Sequence, residues 1–450
     1  MKKNESENRL ADHSGSPLQG LRGWLLHRIW ASYWLLPVIG VALAPIVALT
    51  LLWFDRTFLT QFLIENDLNI VATAETARDF AGVAASVAAA FITLYFSITL
   101  IVISMAAGNL GVRLIDRWLE KKLVRVSISG LAFTLVTSLL AMIATDADAP
   151  MERVPLSLIG FTLALLMISI AMLAVALHDL GRTMFVDTSI NRLARDAGQV
   201  PDRFKGKTVE EIQWAGTIEA QKAGYIEGID VERLRKLLKD LPGRVRICAS
   251  PGQHVLRGQT LIAFETMPAN EGDLHACIPI GPCRSNSEGA VFQIRLLVEI
   301  AARALSPAIN DFYSAIACAD ALAEAIMDHR KTWIADDEIA VLRDDERFEL
   351  PGQDFRGLFQ DPLSAFRQAA SQYPSVSIRM IGNYHRICEN LASEDRSEPL
   401  IGFLATLARE LAHHAESVST YECDKRDIRE KMNRFEDWLR DNHLYLRDAA

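Results

Sequence analysis

Residues 33–54 read YWLLPVIGVALAPIVALTLLWF, a run with no charged side chain. As a helix it would rise about 33 Å at 1.5 Å per residue, enough to cross a hydrocarbon core of about 30 Å. A helix on a water-soluble core needs a polar face, and this one has none, so the run is read as a membrane span. Three further charge-free runs follow at 80–107, 126–144 and 155–177. The expected fold is therefore a membrane α-helical domain of four transmembrane helices, followed by an α+β region. Half of the residues are hydrophobic and the mean hydropathy is positive, largely because of these runs.

The flanks give an orientation. More than thirty mostly polar residues precede the first span, which is too long for a signal h-region and has no small-residue cleavage site after it. Lys2, Lys3, Arg9, Arg22 and Arg28 lie before it, and Arg113, Arg117, Lys121 and Lys122 lie in the second loop. The first loop has Arg56 and Arg78, and the third has Arg153. This bias places both termini in the cytoplasm. Pro37 and Pro45 predict a kink in the first span.

Beyond the spans the periodicity changes. The expected parts are a leader at 1–32 with an interfacial helix near Trp24 and Trp30, the membrane domain at 33–178 and a connecting helix at 179–211. A small β-rich domain at 212–290, sandwich- or barrel-like, and a helical domain at 291–450 complete the chain. IQWAGTIEAQ, AGYIEGID, GRVRICAS and LIAFE are short β-type runs separated by Gly, Pro and Asn. Asp230 stands at the N-cap position of the amphipathic helix VERLRKLLKDL. The stretch SPGQHVLRGQTLIAFE, 250–265, resembles the hairpins of biotinyl- and lipoyl-type folds. It lacks the tip lysine a carrier needs, so it is read as a structural or docking module.

Composition narrows the function classes. The net charge is −9 and no basic block occurs, which argues against a nucleic-acid partner. All six cysteines follow the last span and are expected to be small buried hydrophobes. Glu410 and His413 have the spacing of one half of a di-iron motif, but a second such pair is missing. No cofactor or metal is expected, and without a nucleophile–base pair or a phosphate loop neither is an enzyme.

Two patterns remain as candidate sites. In the second span Ser86, Ala90, Thr93, Ser97 and Ser104, flanked by Gly82 and Gly108, share one helical face. Such a face suits either a close packing seam or a hydroxyl-lined path. In VEIAARALSPAINDFYSA, 298–315, Ser306-Pro307 is placed like an N-cap and first helical residue, and Asn310-Asp311 follows within helical sequence. Arg295, Glu299 and Arg303 share a face and can form an ion-pair ladder. The stretch fits a capped helix joint with Arg303 paired to Asp311, or a ligand site made of Arg303, Ser306, Asn310 and Asp311.

This same stretch carries a resemblance. LLVEIAARALSPAINDFYSAIACADAL is similar to the IAxRALSPxINDPxTA run of the bacterial membrane proteins grouped as domain of unknown function 2254. AGYIEGID and ASPGQHVLRGQ are similar to that family's SGYIxxID and PGxFVxxG. The likeness runs from the second span to about residue 330. Here Asp311-Phe312-Tyr313-Ser314 replaces the family's Asp-Pro-x-Thr, and Leu110-Gly111-Val112-Arg113 replaces a Ser-Pro-Arg. The resemblance implies the architecture and no activity. The expected function is a homo-oligomeric channel- or transporter-like protein with a cytoplasmic regulatory domain. The alternative is a membrane-anchored sensor or scaffold; in both, the bilayer and further copies are the partners.

Overall fold

A computed structural model describes residues 34–66, 71–110, 121–183, 186–198, 203–269, 272–284, 289–335, 337–392 and 398–444. The leader, its interfacial helix and residues 111–113 lie outside these. The chain forms two compact units that divide between Phe185 and Val186.

The membrane unit contains α1 (Leu35–Phe54), α2 (Thr60–Glu65), α3 (Ala74–Leu110), α4 (Lys122–Ala144) and α5 (Leu156–Thr183). Among the described residues four helices are long and apolar enough to cross a membrane, the first running from Leu35 to Glu65. Pro45 lies inside α1. The irregular turn of this first helix comes later, as a π-helical turn at Asp55–Leu59 between α1 and α2.

That turn draws charge into the packed unit, although the uncharged run ends at Phe54. Asp55 is 7% exposed. Its carboxylate accepts from Ser157 N at 3.0 Å, Leu158 N at 3.3 Å and Thr60 Oγ1 at 3.1 Å. A helix leaves its first N–H groups without intrahelical partners. Asp55 satisfies two of those of α5 from a different helix, so it acts as an N-cap in trans. Arg125 of α4 is also buried.

α4 is held to both α1 and α5. Ser129 Oγ donates to Leu36 O at 2.8 Å, and a Cβ at Gly40 would lie 2.6 Å from that Oγ. Only glycine allows so close an approach there. Thr134 and Ser169 share a hydroxyl hydrogen bond of 2.9 Å between α4 and α5. Small and hydroxyl residues therefore do inside this unit what they commonly do between membrane helices.

The second unit begins with α6 (Val186–Ala197) and continues through strands β1 (Phe204–Thr208), β2 (Gly216–Glu219) and β3 (Gly224–Ile226). Then come α7 (Val231–Leu237), β4 (Val245–Ile247), β5 (His254–Val255), β6 (Thr260–Phe264) and β7 (Ile280–Gly281). Two helices, α8 (Ala290–Ala304) and α9 (Phe312–His329), precede β8 (Glu338–Leu342) and β9 (Phe348–Glu349). Four helices close the chain: α10 (Phe355–Ala370), α11 (Pro374–Leu391), α12 (Glu398–Val418) and α13 (Glu422–Asp441). Asp230 caps α7 as its position predicts, accepting from Arg233 N at 3.0 Å.

The strands form a six-stranded sheet in the order β1-β8-β9-β4-β6-β2 and a three-stranded sheet β5-β3-β7. Ile218, Val245, Ile262, Phe264 and Phe348 of the larger sheet share one core with Ile226 and Val255 of the smaller and Leu234 of α7. Three features differ from the sequence reading. β1 lies in the segment expected to be a connecting helix, and it pairs antiparallel with β8 from Phe204↔Leu342 to Thr208↔Glu338. β8 and β9 lie in the acidic stretch read as a break between helices, so strands reach beyond 212–290 on both sides. The hairpin expected over 250–265 does not form: β5 pairs with β3, whereas β6 pairs with β2 and β4. The two glycine turns are present, with Gly252 and Gly258 at φ 75° and 84°, but they pass the chain from one sheet to the other.

The C-terminal helices bury an aromatic cluster. Phe355 and Phe359 stack at 4.6 Å, and Trp333 lies 5.5 Å from both Phe355 and Phe403.

Candidate functional site

The candidate face of α3 is fully formed and points away from the rest of its unit. At about 100° per residue, Ser86, Ala90, Thr93, Ser97 and Ser104 fall within an arc of about 60°. All five are exposed. The buried face, with Ala77, Ala81, Ala84, Ala88 and Tyr95, lies on the opposite side of the helix. Three hydroxyls bond back to their own helix: Ser86 to Gly82 O at 2.9 Å, Thr93 to Ala89 O at 3.0 Å and Ser97 to Thr93 O at 2.8 Å. That bonding lowers the cost of exposing a hydroxyl to lipid and leaves its lone pairs open. Exposed Leu94, Leu100, Ile101 and Met105 flank the ridge. Inside the chain the close packing of α3 is made by alanines, not by the hydroxyl ridge.

Sequence reading passed over a second polar set. Ser127, Thr134, Thr137 and Ser138 of α4, Thr162 and Ser169 of α5 and Thr99 of α3 are buried. Thr99 Oγ1, Ser127 Oγ and Thr137 Oγ1 have no hydrogen-bond partner among the described residues. The spacing of Ser127, Thr134, Ser138 and Thr145 by seven, four and seven could have revealed this face.

The structure brings Ser306, Asn310 and Asp311 together in one tight joint between α8 and α9. Ser306 O closes a single turn by accepting from Ile309 N at 3.1 Å and Asn310 N at 2.9 Å. Asp311 N reaches back to Ala304 O at 2.8 Å, and Tyr373 Oη donates to Leu305 O. Asn310 adopts φ 51°, a left-handed conformation that asparagine tolerates better than most residues. The cap of α9 is Asp311 rather than Ser306: its carboxylate accepts from Ser314 N at 3.1 Å and Ser314 Oγ at 2.5 Å. Arg303 pairs with Glu299 at 3.9 Å, while Arg295 donates to Gly252 O at 3.0 Å. Asp311 is thus committed to its own helix, and the stretch is built as a capped joint. Beside it, Phe312 and Tyr313 form an exposed ring pair 4.4 Å apart.

Two other expectations resolve locally. Glu410 pairs with Arg367, and His413 is exposed. Cys277, Cys318 and Cys388 are buried as expected, but Cys283 and Cys423 are exposed. Burial pushes the Cys277 thiol up to about 12.

A buried histidine fixes α6. His329 is 2% exposed, its Nε2 lies 2.7 Å from Ala197 O at the end of α6, and Phe359 meets its ring edge-on. Nδ1 has no partner among the described residues. The neutral ring, with Nε2–H donating, satisfies this site, whereas a proton on Nδ1 would be buried without an acceptor. Desolvation accordingly lowers the pKa below its ordinary 6.5, against the Ala197 hydrogen bond and Asp328. The unfolded chain then binds the extra proton first. The contribution of this ring is complete above about pH 6.5 and is lost as pH falls toward the depressed folded value. Thermal midpoints of the full chain in detergent should therefore fall across that window, and His329→Gln should flatten the dependence. An unchanged slope in that variant would refute the assignment.

Two uncharacterized proteins, from Mycobacterium bovis and Mycobacterium tuberculosis, are each 24% identical to this chain over 400 residues, covering 83% of it and 74% of their own length. No solved structure matches the chain. A family model described as "Predicted membrane protein" matches residues 30–385. That range extends the resemblance to the first span and into α11. With the four apolar helices and the 298–315 joint inside one match, the chain belongs to the predicted membrane protein family, domain of unknown function 2254.

Proposed function

We propose that the protein is an oligomer of identical chains whose α3 helices meet across the hydroxyl ridge and line a path of channel or transporter type. In this reading the α+β unit is the regulatory part, held with both termini in the cytoplasm of a bacterial inner membrane. The observation that carries it is the direction of the ridge. Hydroxyls and small residues facing lipid gain little, whereas facing a copy they allow close approach and hydrogen bonds across helices. Facing a lumen, they can replace part of the hydration of a passing solute. The nine-to-three bias of Lys and Arg supports the orientation.

Ser86→Leu and Ala90→Leu are expected to weaken assembly by adding bulk at a close contact. Ser97→Leu is expected to weaken it likewise and, where the oligomer still forms, to reduce solute flux in proteoliposomes to background. Mass measurement in detergent reads the first effect and vesicle flux the second. A single-chain mass in both detergent and lipid discs would remove this reading.

The runner-up is a membrane-anchored sensor or scaffold that transports nothing. It is favoured by the rigid joint that presents Phe312 and Tyr313 to solvent. An intact oligomer without flux of any small ion or neutral solute would select it.

A further inference from the structure

α7, the turn after it and the turn between β8 and β9 border a shallow, open cleft of about 580 Å³, lined by Glu232, Arg235, Lys236, Lys239, Asp345 and Arg347. Four cations face two carboxylates there, in a chain whose net charge is −9. The helix accounts for the grouping. Val231 and Leu234 are buried, so Glu232, Arg235 and Lys236, spaced i, i+3 and i+4, line one flank of α7 together, and Lys239 joins them from the turn that follows the helix.

The acidic groups are already engaged. Asp345 holds Arg347 through two contacts, Nε–Oδ1 at 3.0 Å and Nη2–Oδ2 at 2.8 Å. Arg347 Nη1 donates to Leu241 O at 2.7 Å, so the guanidinium is fixed against the end of α7. The hydrogen bonds from Arg347 hold the Asp345 carboxyl below the usual carboxylate range. Glu232 lies 3.6 Å from Arg235. Lys239 has only the weak, exposed contact with its neighbour Asp240 at 3.7 Å, and Lys236 makes no ion pair among the described residues. Two ammonium groups, one on α7 and one in the turn after it, thus stand open on a cleft wall, beside a fixed guanidinium.

We propose that this cleft binds a phosphate-bearing anion, with Lys236 and Lys239 as its charge partners and Arg235 and Arg347 closing the site. Compact ammonium groups suit a phosphate treated as a point charge. The proposal is independent of how the membrane unit works. The same chemistry is offered by a free polyanion and by the headgroup of an anionic lipid.

Calorimetric titration of the full chain in detergent separates these sources. Pyrophosphate represents the free anion, and glycerophosphoglycerol the headgroup. Binding of either supports the site, and the tighter probe names the source. Lys236→Gln combined with Lys239→Gln should weaken that binding by roughly tenfold or more, and Glu232→Gln should strengthen it. All three positions are exposed, so the melting temperature should stay at the wild-type value. Failure of both probes to bind, or equal affinity in the double variant, would overturn the proposal.

Discussion

Asp55→Ala should destabilise the membrane unit by about 3 kcal/mol, since hydrogen bonds to a charged acceptor are worth about 1.5–3 kcal/mol and a lost cap about 1. The estimate stays below the sum of the lost bonds because the α5 terminus can relax. The mechanism is specific. The carboxylate serves Ser157 N and Leu158 N at the start of α5, and its removal leaves buried donors without an acceptor. Thr60 Oγ1, which also lies 3.1 Å from Val154 O, can turn wholly to that carbonyl. Thr60→Ala should therefore cost much less, and Asp55→Asn should fall between the two because one oxygen remains. Denaturation in mixed detergent micelles measures all three. An Asp55→Ala protein that unfolds with wild-type stability would show that α5 does not depend on this cap.

Phe355→Ala should cost about 3–5 kcal/mol in the α+β unit, the usual range for deleting a fully buried aromatic ring. Phe355 is 0% exposed and touches Trp333 and Phe359, with Phe403 at 6.2 Å edge-on. The ring thus joins α10, α12 and the turn after α9, and three elements cannot all collapse into the space it leaves. Phe355→Leu retains most of the volume and should cost about 1.5 kcal/mol. Trp333, whose ring also carries Arg356 at 5.5 Å, is a natural fluorescence reporter. Equal midpoints for the alanine and leucine variants would mean that the cavity closes at no cost.

Some of this was legible in the sequence. The spans follow from length and the absence of charge alone, and local signals placed the Asp230 cap, the glycine turns and the shared face of Ser86, Ala90, Thr93, Ser97 and Ser104. What escaped depends on distant partners. β1 is FKGKT, with no apolar run, and becomes a strand because β8 supplies its ladder. The π-turn at Asp55 matches the start of α5, about a hundred residues later. At the joint both Ser306 and Asp311 qualify as caps. The choice falls to the left-handed turn at Asn310 and the reach of Tyr373 to Leu305 O, neither of which has a local signature. A helical face can be read from spacing, but whether it points inward or outward cannot.

The six-stranded sheet has a consequence for the order in which the protein can be made. β1 leaves the ribosome long before β8, the strand it pairs with, and all of β2 to β7, α8 and α9 are synthesised in between. At about 5–20 residues per second, β1 waits on the order of ten seconds as an unpaired strand. Its alternating lysines, Lys205 and Lys207, are the kind of residue that keeps an open strand from pairing with a wrong chain. Once the sheet closes, both lysines find Glu346 in the turn between β8 and β9. The same charges that protect the nascent strand then help to hold it beside its partner.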